Sequence, residues 1–149
     1  MRSITRIKRH VMTYEECARV GRKYHLDTNF CSVIAMAVGC EIAFSRARAI
    51  MAKHIARQNG RGTYRHHALK LITNMGYEVR EVSVHSRTLK TVQRELAGTS
   101  GTYFVYTKGH VSCVKDGVMQ DWSRNDIRPS NKRIEQVYKI IPTDTVVRY

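Results

Sequence analysis

The chain has 149 residues, of which 42% are hydrophobic and two are proline, so we expect a folded protein rather than a disordered one. This length favours one domain over residues 1–149, and no apolar run is long enough to cross a bilayer, so we expect no membrane association. The formal net charge is +14, from 26 Lys and Arg against 12 Asp and Glu. Such a charge suits nucleic acid or an acidic protein as partner, or serves only to keep the surface solvated.

The four cysteines are scattered along the chain without a CxxC pair, at positions 17, 31, 40 and 113. The N-terminal stretch "MRSITRIKRHVMTYEE" carries charge but no following apolar block, so it does not resemble a secretory signal. We therefore expect reduced thiols in an intracellular chain. The seven histidines do not alternate with the cysteines at the spacing of zinc ligands, and we expect neither a metal nor another cofactor.

The N-terminal third is predicted to be helical. An arm and a first helix occupy residues 1–26, with the helix starting near Thr13, and Thr13 with Glu16 fits a capping box. Residues 27–142 form the predicted core and residues 143–149 a tail. From position 30 to position 38 the residues are apolar nearly all round, which predicts a helix buried on every side.

Capping residues predict where the next helices begin and end. Thr28 or Asn29 can cap the start of the buried helix, and Gly39 can end it. A third helix is predicted from position 45 towards position 58. Its predicted inner stripe is Ala47, Ile50, Met51 and Ile55, and its predicted outer residues are Arg46, Arg48, Lys53 and Arg57. Thr63 is predicted to cap a fourth helix that reaches about Met75.

Strand patterns dominate the second half of the chain. "YEVREVSV" alternates as a strand does, a short helix "TLKTVQREL" follows, and "TYFVYT" leads into a hairpin. A last strand is predicted at positions 136–141. Helices followed by strands indicate an α+β fold, with a helical N-terminal half and its central buried helix packed on a C-terminal antiparallel sheet.

The hairpin in "GHVSCVKDGVMQDW" brings a histidine and an aspartate together. A type I′ turn at Asp116 and Gly117 pairs Lys115 with Val118, because such a turn needs positive φ at both central positions. The same register places three polar residues on one side of the sheet: His110, Ser112 and Asp121. His110 and Asp121 are then diagonal neighbours, roughly 7–8 Å apart at the backbone, which permits a His–Asp pair. The alternative is an exposed loop histidine and a solvated aspartate.

Cys31 is the candidate nucleophile. It is expected in the first turn of the buried helix, where the helix dipole and free amide groups lower the pKa of a thiol. A cysteine nucleophile also needs a base such as histidine and a group that orients the base. The alternative is an inert, buried cysteine, which is how we interpret Cys17, Cys40 and Cys113.

Four segments in this order resemble the small papain-like cysteine-peptidase proteins of tailed phages. They are "DTNFCSVIAMAVG", "GRGTYRHHALKLITNMGY", "TLKTVQREL" and "GTYFVYTKGHVSCVKDGVMQDW". The resemblance implies a papain-like fold, with Cys31 as nucleophile, His110 as general base and Asp121 as orienting residue. It also implies attack on an amide, peptide or isopeptide carbonyl. Papain-like enzymes usually carry a glutamine six residues before the cysteine to bind the oxyanion, and His25 stands at that position here. Asn29 is the second candidate for this donor.

The leading hypothesis is therefore a thiol hydrolase, a peptidase, isopeptidase or amidase, that acts on a peptide or protein in a host cytoplasm or in association with a virion. A transferase with the same cysteine chemistry is a weaker alternative. An alternative from another class is a basic protein that uses the scaffold to bind nucleic acid or an acidic host protein without catalysis. Its candidate contacts are Arg46, Arg48, Lys53, Arg57 and Arg61.

Overall fold

The computed structural model describes residues 9–26, 30–121 and 131–147. Within these ranges it has five α-helices and one five-stranded antiparallel sheet, which confirms the predicted α+β class. The helices are α1 (Tyr14–Tyr24), α2 (Cys31–Gly39), α3 (Phe44–Ile55), α4 (Arg65–Asn74) and α5 (Leu89–Leu96). The strands are β1 (Tyr77–Val82), β2 (Thr102–Thr107), β3 (His110–Lys115), β4 (Val118–Gln120) and β5 (Ile134–Pro142). None of the described helices is long and apolar enough to cross a membrane.

The sheet has the strand order β1-β5-β2-β3-β4, so β2 lies at its centre. All six residues of β2 are buried, because both faces of the sheet are covered. Phe104 and Tyr106 join the larger core cluster with α2, whereas Tyr103 and Val105 join a second cluster with α5. Alternate side chains of β2 thus point to opposite faces of the sheet and pack against different helices.

Helix α2 forms the middle of the larger core. Its residues from Ser32 to Gly39 are all buried, as the apolar sequence predicts. Gly39 meets the ring of Phe104 so closely that an added Cβ would lie 2.7 Å from the ring carbon Cε1. At the other end, Phe30 precedes the helix and packs edge-on against Phe44, with ring centroids 5.6 Å apart. These contacts fix the position of α2 and therefore of Cys31, its first residue.

Helix starts agree with the sequence where a capping box is present. Thr13 and Glu16 form the predicted box at α1, and Thr88 forms another with Thr91 at α5. Thr28 and Asn29, the predicted caps of α2, lie outside the described residues. The prediction that Thr63 caps α4 is wrong: Tyr64 occupies the N-cap position and makes no capping hydrogen bond.

The end of α3 differs from the prediction. Ala47, Ile50 and Met51 are buried on the predicted inner stripe, but the helix ends at Ile55 rather than near position 58. Ala56 adopts a left-handed conformation with φ 55° and turns the chain. Arg57 is consequently buried, with 8% of its surface exposed, so the prediction that it lies on the outer face is wrong.

Candidate active site

The hairpin of β3 and β4 has the register that the sequence predicts. Asp116 and Gly117 both have positive φ, 48° and 80°, as a type I′ turn requires. Lys115 pairs with Val118, and the pairing continues to Cys113 and Gln120. Asp121 follows β4 directly, so the turn determines where its carboxylate lies relative to β3.

His110 and Asp121 form a direct pair. Nε2 of His110 lies 3.0 Å from Oδ1 of Asp121 and 2.9 Å from its Oδ2. The side chains are almost completely buried, 7% exposed for His110 and 2% for Asp121. The hydroxyl of Ser112 donates a hydrogen bond to Oδ2 of the same carboxylate. Because Nε2 is held by Asp121, Nδ1 is the ring nitrogen that remains for another partner.

That partner is Cys31. Its thiol group hydrogen-bonds the side chain of His110 and also the backbone of Val111. Burial by itself raises the pKa of the Cys31 thiol. The hydrogen bond and the charge of His110, together with the Val111 contact, outweigh burial and hold this pKa below its ordinary value.

His110 shifts in the opposite direction. Burial lowers its pKa, but hydrogen bonds to Asp121 and Cys31 and the charges of both groups raise the pKa of His110 to about 9. A lowered thiol pKa beside a raised imidazole pKa favours a thiolate–imidazolium pair at neutral pH. This arrangement can supply a nucleophile and a proton donor from adjacent atoms.

The other three cysteines differ from Cys31 in burial. Cys17, Cys40 and Cys113 are at most 1% exposed, and the four cysteines, all within the described ranges, form no disulfide. Burial raises the pKa of the Cys17 thiol to about 12. Burial also raises the pKa of the Cys113 thiol. These environments suppress thiolate formation, in agreement with the interpretation of Cys17 and Cys113 as structural residues.

A cleft of about 650 Å³ opens beside the thiol. One part of its lining comes from the start of α2 and from the β2–β3 region, including Cys31, Thr107 and His110. The remainder is the segment 60–65, which connects α3 to α4. The hydroxyls of Thr63 and Thr107 are buried in this lining and have no hydrogen-bond partner among the described residues, an arrangement that costs about 1–3 kcal/mol per group.

Arg65 is a fixed part of the cleft lining. Its guanidinium forms an ion pair with Glu135, and its Nη1 donates to Oε1 of Gln136 at 3.0 Å. The same group lies over the ring of Tyr106, 4.5 Å from the centroid. These contacts connect the start of α4 to β5 and β2 and hold one side of the cleft beside the thiol.

The structure does not bring the predicted oxyanion residue His25 to the cleft. Nε2 of His25 is hydrogen-bonded to Oγ of Ser45 at 2.7 Å, and its ring lies against Phe44 with centroids 6.0 Å apart. His25 is absent from the described lining of the cleft. It sits at the C-terminal cap of α1, which directs the ring towards α3. Asn29, the second predicted donor, lies outside the described residues.

The five candidate contacts of the binding-protein alternative differ in exposure. Arg46 and Lys53 are exposed, whereas Arg57 is buried. Arg48 is partly buried and donates to Oδ1 of Asn59 at 2.8 Å. Arg61 follows α3 in the chain and lines the cleft. Of the five candidate contacts for nucleic acid or an acidic partner, Arg57 is therefore buried, and the binding role of the other four stays a prediction.

Two features of the site were not assigned a role from the sequence. One is the hydrogen bond from Ser112 to Asp121. The predicted register already placed these two polar residues opposite each other on one face of the sheet, and that position was the available signal for the bond. The segment 60–65 gave no comparable signal, because its glycines and arginines also suit an ordinary surface loop.

No protein-family model matches the chain, and searches of curated proteins and of solved structures found no significant match either. Among the described residues, no group of three or more His, Cys, Asp or Glu side chains could hold a metal ion. The geometry around Cys31 is therefore the basis on which a function can be argued.

Proposed function

We propose that this protein is a thiol hydrolase of papain-like fold that cleaves an amide, peptide or isopeptide bond through an acyl-enzyme. The observation that supports the proposal most strongly is the chain of contacts from Asp121 through His110 to Cys31 at the start of α2. A cysteine nucleophile requires these three functions in this order: a carboxylate that orients the base, the base, and the thiol.

In the first half of the reaction the Cys31 thiolate attacks the substrate carbonyl carbon, and a carbon–sulfur bond forms as the carbonyl oxygen gains negative charge. The imidazolium of His110 then gives its Nδ1 proton to the leaving nitrogen, and the carbon–nitrogen bond breaks. The amine product departs and leaves a thioester on Cys31. Asp121 keeps Nδ1 directed at the thiol and stabilises the positive charge on the ring between these steps.

In the second half water attacks the thioester. His110, now neutral, accepts a proton from that water, and the carbon–sulfur bond breaks to release a carboxylic acid and the thiolate. The site returns to its starting charge. Each proton in the cycle is given or accepted at Nδ1 of His110, while Nε2 stays bonded to Asp121.

The developing oxyanion needs hydrogen-bond donors, and the start of α2 supplies them in this proposal. The first backbone N–H groups of a helix have no partner within the helix, and Cys31 is the first residue of α2. These groups also carry the positive end of the helix dipole. The proposal therefore assigns the oxyanion to backbone N–H groups at Cys31 rather than to His25.

The experiment is to incubate the protein with a panel of peptide thioesters and fluorogenic peptide amides, and to follow hydrolysis together with intact protein mass. Wild type is expected to gain the mass of the acyl group at Cys31 and to release product. Cys31→Ala is expected to do neither, whereas the control Cys17→Ala retains both. Equal hydrolysis by Cys31→Ala, or an acyl group on another residue, would contradict the proposal. Salt-dependent capture of nucleic acid that survives Cys31→Ala, without any acylation of wild type, would favour the binding-protein alternative.

A further inference from the structure

Arg61 lines the same cleft as Cys31 and is exposed to solvent. Its side chain makes no hydrogen bond or ion pair with another described residue. Gly60 and Gly62 flank it, and a Cβ added at Gly62 would meet no heavy atom within 4 Å. The space beside the Gly62 backbone, next to Arg61 in the chain, is therefore open.

Arg65 contrasts with Arg61 in the same lining. Its guanidinium is occupied by Glu135, by Gln136 and by the ring of Tyr106. Arg65 therefore serves to hold the cleft, whereas no described residue occupies the five N–H donors of Arg61.

Apart from the Cys31 thiolate, the charged groups in the described lining of the cleft are positive. Its described lining contains two arginines and His110 but no aspartate or glutamate. The start of α2 adds the positive end of a helix dipole. Asp121 is 2% exposed and already paired with His110, so it faces the base rather than the cleft. A negative group is attracted to such a cleft, and a positive group is repelled.

We propose that the cleft selects acyl substrates that carry a carboxylate close to the scissile bond, and that Arg61 is the residue that binds this carboxylate. A guanidinium matches a carboxylate with two parallel N–H···O bonds. The inference rests on the proposed function, because it concerns the substrate of the Cys31 thiolate. An acidic peptide fits better than nucleic acid, since the exposed Arg46 and Lys53 on α3 do not line this cleft.

The test uses two probes that differ only in charge: N-iodoacetyl-glutamate α-amide and N-iodoacetyl-glutamine α-amide. The Cys31 thiolate attacks the iodoacetyl carbon, a thioether forms and iodide leaves. The measured quantity is the ratio of the second-order rate constants for the acidic and neutral probes. In Arg61→Gln this ratio is expected to fall about two- to fivefold, as for loss of one exposed ion pair. Arg61→Lys keeps part of the preference, and the control Arg46→Gln keeps all of it.

The possible failures are distinguishable. If Cys31 reacts with both probes no faster than free cysteine, the proposed function itself fails. If both probes react rapidly but the ratio is the same in wild type and Arg61→Gln, the inference is overturned while the activated thiol stands. An equal fall in Arg61→Gln and Arg46→Gln would attribute the preference to overall charge and would also overturn it. Protection of Cys31 by a single-stranded oligonucleotide, without protection by a glutamate-rich peptide, would replace the acidic peptide with nucleic acid.

Discussion

Asp121 holds His110 with both carboxylate oxygens, at 3.0 and 2.9 Å from the same ring nitrogen, Nε2. Both side chains are almost fully buried, so water screens their interaction little. The contact orients the imidazole and leaves its other nitrogen for Cys31. Burial lowers the pKa of His110, and the contact with Asp121 raises it.

Asp121→Asn tests this electrostatic role. An asparagine keeps the shape and can still accept a hydrogen bond from Nε2–H, but it removes the negative charge. We expect the pKa of His110 to fall from about 9 towards or below 6.5, because burial then meets less opposition. NMR titration of the imidazole resonances measures this directly. The control is Asp116→Asn, in the hairpin turn, where asparagine before glycine is equally suitable and His110 should be unaffected. An unchanged pKa in Asp121→Asn would show that another group charges the ring.

Ser112→Ala tests the second hydrogen bond of the carboxylate. The hydroxyl of Ser112 donates to Oδ2 of Asp121, and its loss leaves a buried, charged acceptor with one fewer donor. The free energy of unfolding is expected to fall by about 1–3 kcal/mol. Urea denaturation followed by circular dichroism gives this value. Ser45→Ala, at an exposed serine that bonds His25, should cost less than about 0.5 kcal/mol. If the two substitutions cost the same, the Ser112 contact does not stabilise the site.

Gly117→Ala tests whether the turn positions the site. Gly117 has φ 80°, and an added Cβ would clash with the backbone carbonyl of Ala97. Alanine is therefore expected to lower the free energy of unfolding by about 1–3 kcal/mol and to slow alkylation of Cys31, because Asp121 follows the same hairpin. Gly98→Ala is the matched control, since its added Cβ meets nothing within 4 Å. Unchanged stability and unchanged Cys31 reactivity in Gly117→Ala would show that the turn does not position the site.

The hairpin was the most predictable part of the molecule. An Asp-Gly turn fixes the pairing of its strands, and the alternation of side chains then fixes which residues share a face. His110, Ser112 and Asp121 could be grouped in this way from the sequence alone. The position of Cys31 at a helix start followed from the long apolar run of α2.

Other parts depended on tertiary contacts that leave little trace in the sequence. The left-handed conformation of Ala56 ends α3 early and buries Arg57, although alanine favours continuation of a helix. His25 is drawn towards Ser45 and Phe44 by packing between α1 and α3. The engagement of Arg65, which distinguishes it from Arg61, depends on partners 70 and 71 positions away in β5.

The most direct test of the account is the rate of Cys31 alkylation by iodoacetamide as a function of pH, in wild type and in His110→Ala. In wild type the lowered pKa of Cys31 predicts an inflection below the ordinary thiol value of 9.0, because the thiolate persists as pH falls. In His110→Ala burial is no longer outweighed, so the inflection should move above 9.0 and the rate at neutral pH should fall at least tenfold. The same inflection near 9.0 in both proteins would contradict the central claim that Cys31 and His110 form an activated pair.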